Sequence, residues 1–107
     1  MLKIYPVILE TTRELRPVLG QIARRDADLG RQMKRALTSI SLNVAEGGYS
    51  RGQNRTARYH SALGSARETL ACLEVAEALG YVRSVDQHLG RRLNRIIGTL
   101  VRLVRPT

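Results

Sequence analysis

Residues 84–104 read Ser84-Val85-Asp86-Gln87-His88-Leu89-Gly90-Arg91-Arg92-Leu93-Asn94-Arg95-Ile96-Ile97-Gly98-Thr99-Leu100-Val101-Arg102-Leu103-Val104. Val85, Leu89, Leu93, Ile96/Ile97, Leu100 and Leu103/Val104 return at steps of three and four, the spacing that stacks side chains on one face of a helix. The opening Ser84-Val85-Asp86-Gln87 has the form of a capping box and marks where this helix starts. His88, Arg91, Arg92, Arg95 and Arg102 fall away from the apolar face, and Arg105 extends the row. No carboxylate interrupts that row between Leu89 and Thr107, so these arginines have no partner on their own helix.

Working back along the chain, three more stripes of the same period appear and no strand pattern competes with them. The third segment carries Tyr59, Ala62/Leu63, Ala66, Leu70, Leu73, Ala76 and Leu79 before Gly80 stops it, with Tyr81 able to fold back as in a Schellman ending. The second carries Leu29, Met33, Ala36/Leu37, Ile40 and Val44 and is expected to stop at Gly47-Gly48, where φ > 0 costs nothing. Asp28 is the expected N-cap of that second helix, and Asn54 that of the third, after a turn-forming stretch Tyr49–Asn54. In the first segment Ile4, Val7/Ile8, Leu15, Val18/Leu19 and Ile22 share a face. Pro17 lies in its middle, where a missing N–H and a clash with the preceding turn predict a kink or break near Arg13 to Pro17. Four helices of this length with short links fold as an antiparallel up-down four-helix bundle, and residues 1–107 are expected to form one domain.

Composition excludes several classes. At 107 residues the chain is too short for two independent cores, and a 43% hydrophobic fraction is ordinary for a folded domain. One cysteine, Cys72, forms no internal disulfide, and with two histidines it makes no tetrahedral zinc site, so no metal and no cofactor are expected. Cys72 sits inside an apolar stripe and reads as a buried structural thiol. No apolar run reaches the 18 or so residues of a membrane span, and the N-terminus lacks the features of a signal peptide. The expectation is a cytoplasmic protein with no membrane contact.

The charge points to a partner. Lys and Arg number 18 against 9 Asp and Glu, giving +9, and all but Lys3 and Lys34 of the cations are Arg. Arginine's planar fork suits phosphate and carboxylate pairing. Three clusters stand out: Arg31, Lys34 and Arg35 in the first turns of the second helix, Arg51, Arg55 and Arg58 with Tyr49 and Tyr59 among them, and the row Arg91, Arg92, Arg95, Arg102. Rows of like charge repel and cost stability, so their persistence favours a polyanion. With no Trp or Phe and four Tyr, base stacking is a poor main mode, and phosphate and shape recognition would dominate.

Ala36-Leu37-Thr38-Ser39-Ile40-Ser41-Leu42-Asn43-Val44-Ala45-Glu46-Gly47-Gly48, followed by Arg51 and by Arg58-Tyr59-His60-Ser61-Ala62-Leu63-Gly64-Ser65-Ala66-Arg67-Glu68, is the most distinctive run. With Ile40 at 0°, Ser39, Asn43 and Glu46 fall at about −100°, −60° and −120°, a polar line flanking the apolar stripe. Half-buried polar groups need partners, so Ser39, Asn43, Glu46 and Gly47 read as a capping and loop-organising set rather than catalytic groups. The run resembles the four-helix-bundle family of 23S rRNA intervening-sequence proteins, whose relatives include the accessory variability proteins of diversity-generating retroelements. The Ser-x-x-x-Asn-x-Ala-Glu-Gly core, the downstream Arg, the Ala-Leu-Gly-Ser-x-x-Glu stretch and Leu79-Gly80-Tyr81 all stand in order. The resemblance implies a homopentamer with strongly basic surfaces, about +45 in all, and in the retroelement relatives a surface that binds nucleic acid and a reverse transcriptase. Pro17 and the high Arg content depart from the family pattern.

The function expected is a non-catalytic, oligomeric nucleic-acid-binding protein, with structured RNA or a ribonucleoprotein favoured and a nucleic-acid-processing protein as a further partner. A scaffold whose arginines bind acidic proteins is the alternative. A HEPN-like ribonuclease comes third. Arg55-Thr56-Ala57-Arg58-Tyr59-His60 and Arg83-Ser84-Val85-Asp86-Gln87-His88 both fit an Arg-x4-His spacing, but roughly one such match arises by chance in so arginine-rich a chain. Glu10/Glu14 and Glu74/Glu77 read as solvated pairs rather than general acids.

Overall fold

The four apolar stripes become four helices. A computed structural model describes residues 2–83 and 87–106: α1 (Ile4–Arg25), α2 (Ala27–Tyr49), α3 (Gly52–Ala78) and α4 (Gln87–Val104), with no strand among the described residues. At 1.5 Å per residue the 27 residues of α3 span about 40 Å, close to the 42 Å long axis of the molecule. Each helix packs on two others, in the ring α1, α2, α3, α4 and back to α1. Their shared core is made by Ile8, Leu15 and Ile22, by Met33, Ile40 and Val44, by Ala66 and Leu73, and by Leu93, Ile96 and Leu100, all fully buried. Each large aliphatic side chain so placed contributes about 1.5–3 kcal/mol by leaving water. Thr11 and Thr69 also enter the core, because their hydroxyls donate back to Val7 O (2.7 Å) and Ser65 O (2.9 Å) and leave only methyls to pack. Cys72 is buried, as its place in the stripe predicts.

Several local expectations change. The break at Pro17 does not occur: α1 is one helix from Ile4 to Arg25. Pro17 and Arg13 both lie on the exposed side, so the carbonyl that loses its donor opens to water, while Leu15 and Ile22 anchor the helix in the core. The N-cap of α2 is Asp26, not Asp28. Its Oδ1 accepts from Leu29 N at 3.0 Å, and Asp26 is the only residue between α1 and α2. That tight passage brings Gly30 against Ala23, whose Cα lies 2.8 Å from where a β-carbon on Gly30 would sit.

Gly47-Gly48 does not stop α2, which runs on to Tyr49. Gly47 is required for another reason: a β-carbon there would overlap the buried ring of Tyr59 on α3. The positive φ lies instead at Gly52 (58°), the first residue of α3, and Asn54 is already helical, so the expected Asn54 cap is replaced by a glycine-opened turn with no side-chain cap. Gly80 does end the α3 region, with φ 76°. Tyr81 N donates to Ala76 O (2.9 Å) and Gly80 N to Glu77 O (3.0 Å), the paired bonds of a Schellman ending. The capping box at 84–87 rests on Ser84, Val85 and Asp86, which lie outside the described residues, as does Val85 of the last stripe.

Candidate nucleic-acid interface

The solvent face of α2 follows from its own periodicity. Arg31, Lys34, Arg35, Thr38 and Leu42 recur at three- and four-residue steps opposite Met33, Leu37, Ile40 and Val44, and they line an open groove of about 600 Å³. Arg58 enters it from α3. Four of the expected binding residues, Arg31, Lys34, Arg35 and Arg58, are thus brought together across two helices. Ser39 and Asn43 form the inner wall, and Leu42, 60% exposed, supplies an apolar surface among the cations.

The wall is held by hydrogen bonds that join the two helices. Asn43 Nδ2 donates to Ser39 O and to Ser39 Oγ, both at 2.9 Å, and Ser65 Oγ of α3 donates to Ser39 Oγ at 2.8 Å. The side chains of Ser39 and Asn43, in the polar line along α2, are thus engaged with each other and with α3. Glu46 is exposed and contributes its carbonyl, which accepts from Ser50 Oγ at 2.9 Å. Arg31 is paired with Asp28 one turn back, while Lys34, Arg35 and Arg58 form no ion pair among the described residues. A neighbouring hollow sets Arg31 and Arg35 beside Glu68 of α3. The same Glu68 charge, after burial, raises the pKa of Cys72 one turn along.

Other expected contacts divide differently. Arg55 is spent on the chain itself: its Nε donates to Gly47 O (3.1 Å) and Ser50 O (2.9 Å), closing the C-terminal carbonyls of α2. Arg51 stands exposed at the link between α2 and α3. On α4, Arg91 and Arg95 are exposed, and Arg102 reaches Thr99 Oγ1 at 3.3 Å. Arg92 is half-buried and pairs across to α1, with Nη2 3.3 Å from Glu14 Oε1, while His88 Nε2 lies 3.1 Å from Glu14 Oε2. α2 and α4 are not neighbours in the ring of helices, and none of the α4 arginines lines the α2 groove. Within the two Arg-x4-His matches, Arg55 donates to backbone carbonyls and His88 lies beside Glu14. Thr38 and Leu42 belong to the groove but were not read from the sequence as site residues; the signal was Leu42 standing opposite the apolar stripe of its own helix.

Among the described residues no group of three metal-ligating side chains converges, and no helix is long and apolar enough to cross a membrane. No curated relative and no solved structure matches the chain. A family profile does match, over residues 3–102 and hence through all four helices. The chain belongs to the 23S rRNA-intervening sequence protein family.

Proposed function

We propose that the protein is a non-catalytic nucleic-acid-binding protein that grips the phosphates of structured RNA through the α2 groove. The observation that carries this reading is that Arg31, Lys34, Arg35 and Arg58 from two helices line one open groove in which, among the described residues, only Arg31 has a carboxylate partner. The family's name is compatible with an RNA-related role. The helices alternate up and down, a reading supported by Gly47 meeting Tyr59, Ser39 meeting Ser65 and Arg35 sharing a hollow with Glu68, positions that fall along α2 as they rise along α3. The chain acts as one cytoplasmic domain without cofactor. It assembles with copies of itself, as a pentamer if it follows the resemblance, and the exposed apolar Val75 (45%) and Leu79 (57%) on the outside of α3 support self-association. A nucleic-acid-processing protein such as a reverse transcriptase is the further partner that kinship with the retroelement proteins would supply.

The test is the affinity for an RNA hairpin as a function of salt. Four phosphate contacts on a duplex stem give a log–log slope of about −3.6, and Lys34→Glu with Arg58→Glu should flatten it by about half. Arg91→Glu, Arg95→Glu and Arg102→Glu test the α4 row separately, with oligomeric state measured alongside. No binding at low salt refutes the reading. Binding of an acidic protein by the same groove, with RNA excluded, would favour the scaffold alternative to which the exposed Leu42 lends support.

A further inference from the structure

At the end of the molecule where α1 passes to α2 and α3 to α4, a cavity of about 530 Å³ gathers cations that the groove does not use. Arg24 and Arg25 come from the last turn of α1, Gln21 from the turn before, and Arg83 from the connection that follows Gly80. The helix dipole accounts for two arginines at the C-terminus of α1. It does not account for Arg83, which belongs to another segment and is brought onto the same cavity. None of the three forms an ion pair among the described residues. Asp26, next in sequence to Arg25, does not line the cavity. Its two oxygens are taken by Leu29 N (3.0 Å) and by the hydroxyl of Tyr81 (3.2 Å). The remaining wall is apolar, with Val82 and Leu89 buried behind it and Tyr81 half-buried at its side.

Three arginines that line one cavity and form no ion pair among the described residues make a site for more than one negative charge, and guanidinium forks match phosphate oxygens in pairs. The α2 groove draws its cations from along two helices, whereas the end cavity, backed by the buried Val82 and Leu89, gathers its three arginines at one place. A terminal phosphate monoester carries up to two charges where a diester carries one. We propose that this cavity binds the terminal phosphate monoester of a nucleic-acid strand, with Arg24, Arg25 and Arg83 on the phosphate and the Tyr81 wall against the attached nucleoside. The strand as ligand rests on the reading of the α2 groove, but the phosphate does not, since the two sites share no side chain.

The experiment compares a fluorescein-labelled RNA 12-mer bearing a 5′-phosphate, a 3′-phosphate or no terminal phosphate. A preference of about tenfold for one phosphorylated end is expected, equal to about 1.4 kcal/mol. Arg83→Ala and Arg24→Ala, both on the surface and checked for helicity by circular dichroism, should return the ratio to about one. Lys34→Glu with Arg58→Glu should weaken all three RNAs and leave the ratio intact. Because the second ionisation of a phosphate monoester lies near pH 6, the preference should fall below about pH 6, which a diester contact would not show. Adenosine monophosphate and inorganic phosphate serve as competitors: loss of the ratio with the nucleotide alone shows that the nucleoside is read, and loss with phosphate shows that the anion suffices. Equal affinity for the three RNAs in wild type, or a preference that survives both arginine substitutions, overturns the proposal while leaving the groove reading standing. If no RNA binds, the groove reading fails, and the cavity is judged by thermal stabilisation with adenosine monophosphate: a rise lost in Arg83→Ala supports the phosphate site, and no rise refutes it.

Discussion

Replacing Gly47 by alanine sets two physical effects against each other. Gly47 is helical, and in an exposed helix Gly→Ala stabilises by about 1 kcal/mol. In this fold the new β-carbon would overlap the ring of Tyr59, with Cδ1 at 2.8 Å and Cζ at 3.0 Å, and the ring has nowhere cheap to go because Tyr59 is only 4% exposed. Overpacking of this kind costs about 1–3 kcal/mol, and a rigid ring wedged between α2 and α3 belongs at the upper end. The net loss is then about 2 kcal/mol, which lowers Tm by about 10 °C for a domain of this size. Gly64 is the control: it is an exposed mid-helix glycine with nothing within 4 Å of its would-be β-carbon. Gly64→Ala should gain about 1 kcal/mol and raise Tm by about 5 °C. Thermal melts followed at 222 nm measure both, and a Tyr59→Leu background should shrink the Gly47→Ala penalty, since the clash needs the ring. A Gly47→Ala protein as stable as wild type would refute the claim that this glycine exists for close packing.

Asp26→Ala removes the N-cap of α2, about 1 kcal/mol, and the acceptor of the Tyr81 hydroxyl, about 1 kcal/mol more; chemical denaturation should show a loss of about 2 kcal/mol, with Asp26→Asn losing much less. The pKa of Tyr81 is raised above the ordinary phenol value, first by burial and then by its hydrogen bond to Asp26 and that carboxylate's charge. The folded state therefore holds the phenol proton more tightly than the unfolded chain, so this stabilisation is fully present below about pH 10 and is lost as pH rises through the folded pKa. Melting temperature measured from pH 9 to 11 should fall less in Tyr81→Phe than in wild type, and parallel curves would refute the assignment. Burial, with Glu68 second, also raises the Cys72 thiol pKa, so alkylation by iodoacetamide at pH 8 should be slow in the native protein and become fast on unfolding.

The helices were legible because one-sided periodicity is a property of consecutive residues. Leu89, Leu93, Ile96 and Leu100 specify the buried face of α4 without reference to any other helix. Their ends were less legible, since competing local signals are decided by packing. Asp26 and Asp28 both offer a capping carboxylate, and the seating of Gly30 on Ala23 accompanies the choice of the first. Pro17 predicted a kink or break, and of the two the break does not occur, since Pro17 sits on the solvent side of α1, where water reaches the freed carbonyl. Gly47 looked like a stop because its partner, Tyr59, lies on the next helix. The site follows the same division. That cations gather on α2 was readable from spacing, whereas Arg58 joining them and Arg55 turning to Gly47 O depend on the register of α3 against α2, which no single stripe contains.

The pairing of the arginines limits how the three surfaces can be used. Arg92 is tied to Glu14, and Arg55 to the chain's own carbonyls, so each nominated row is thinner than its sequence suggests. Of the cations that form no ion pair among the described residues, Lys34, Arg35 and Arg58 stand along the α2 groove, Arg91 and Arg95 on α4, and Arg24, Arg25 and Arg83 at one end. The molecule is 24 × 21 Å across its helices, well beyond the Debye length of about 8 Å at physiological salt. Charges on opposite sides therefore do not reinforce one another through solvent, and a short hairpin lying on one copy meets only one row. For a hairpin without a terminal phosphate, the salt slope of a single copy should accordingly report the α2 cations alone. An increase of that slope on self-association would mean that neighbouring copies bring an α4 row and an α2 groove onto the same RNA.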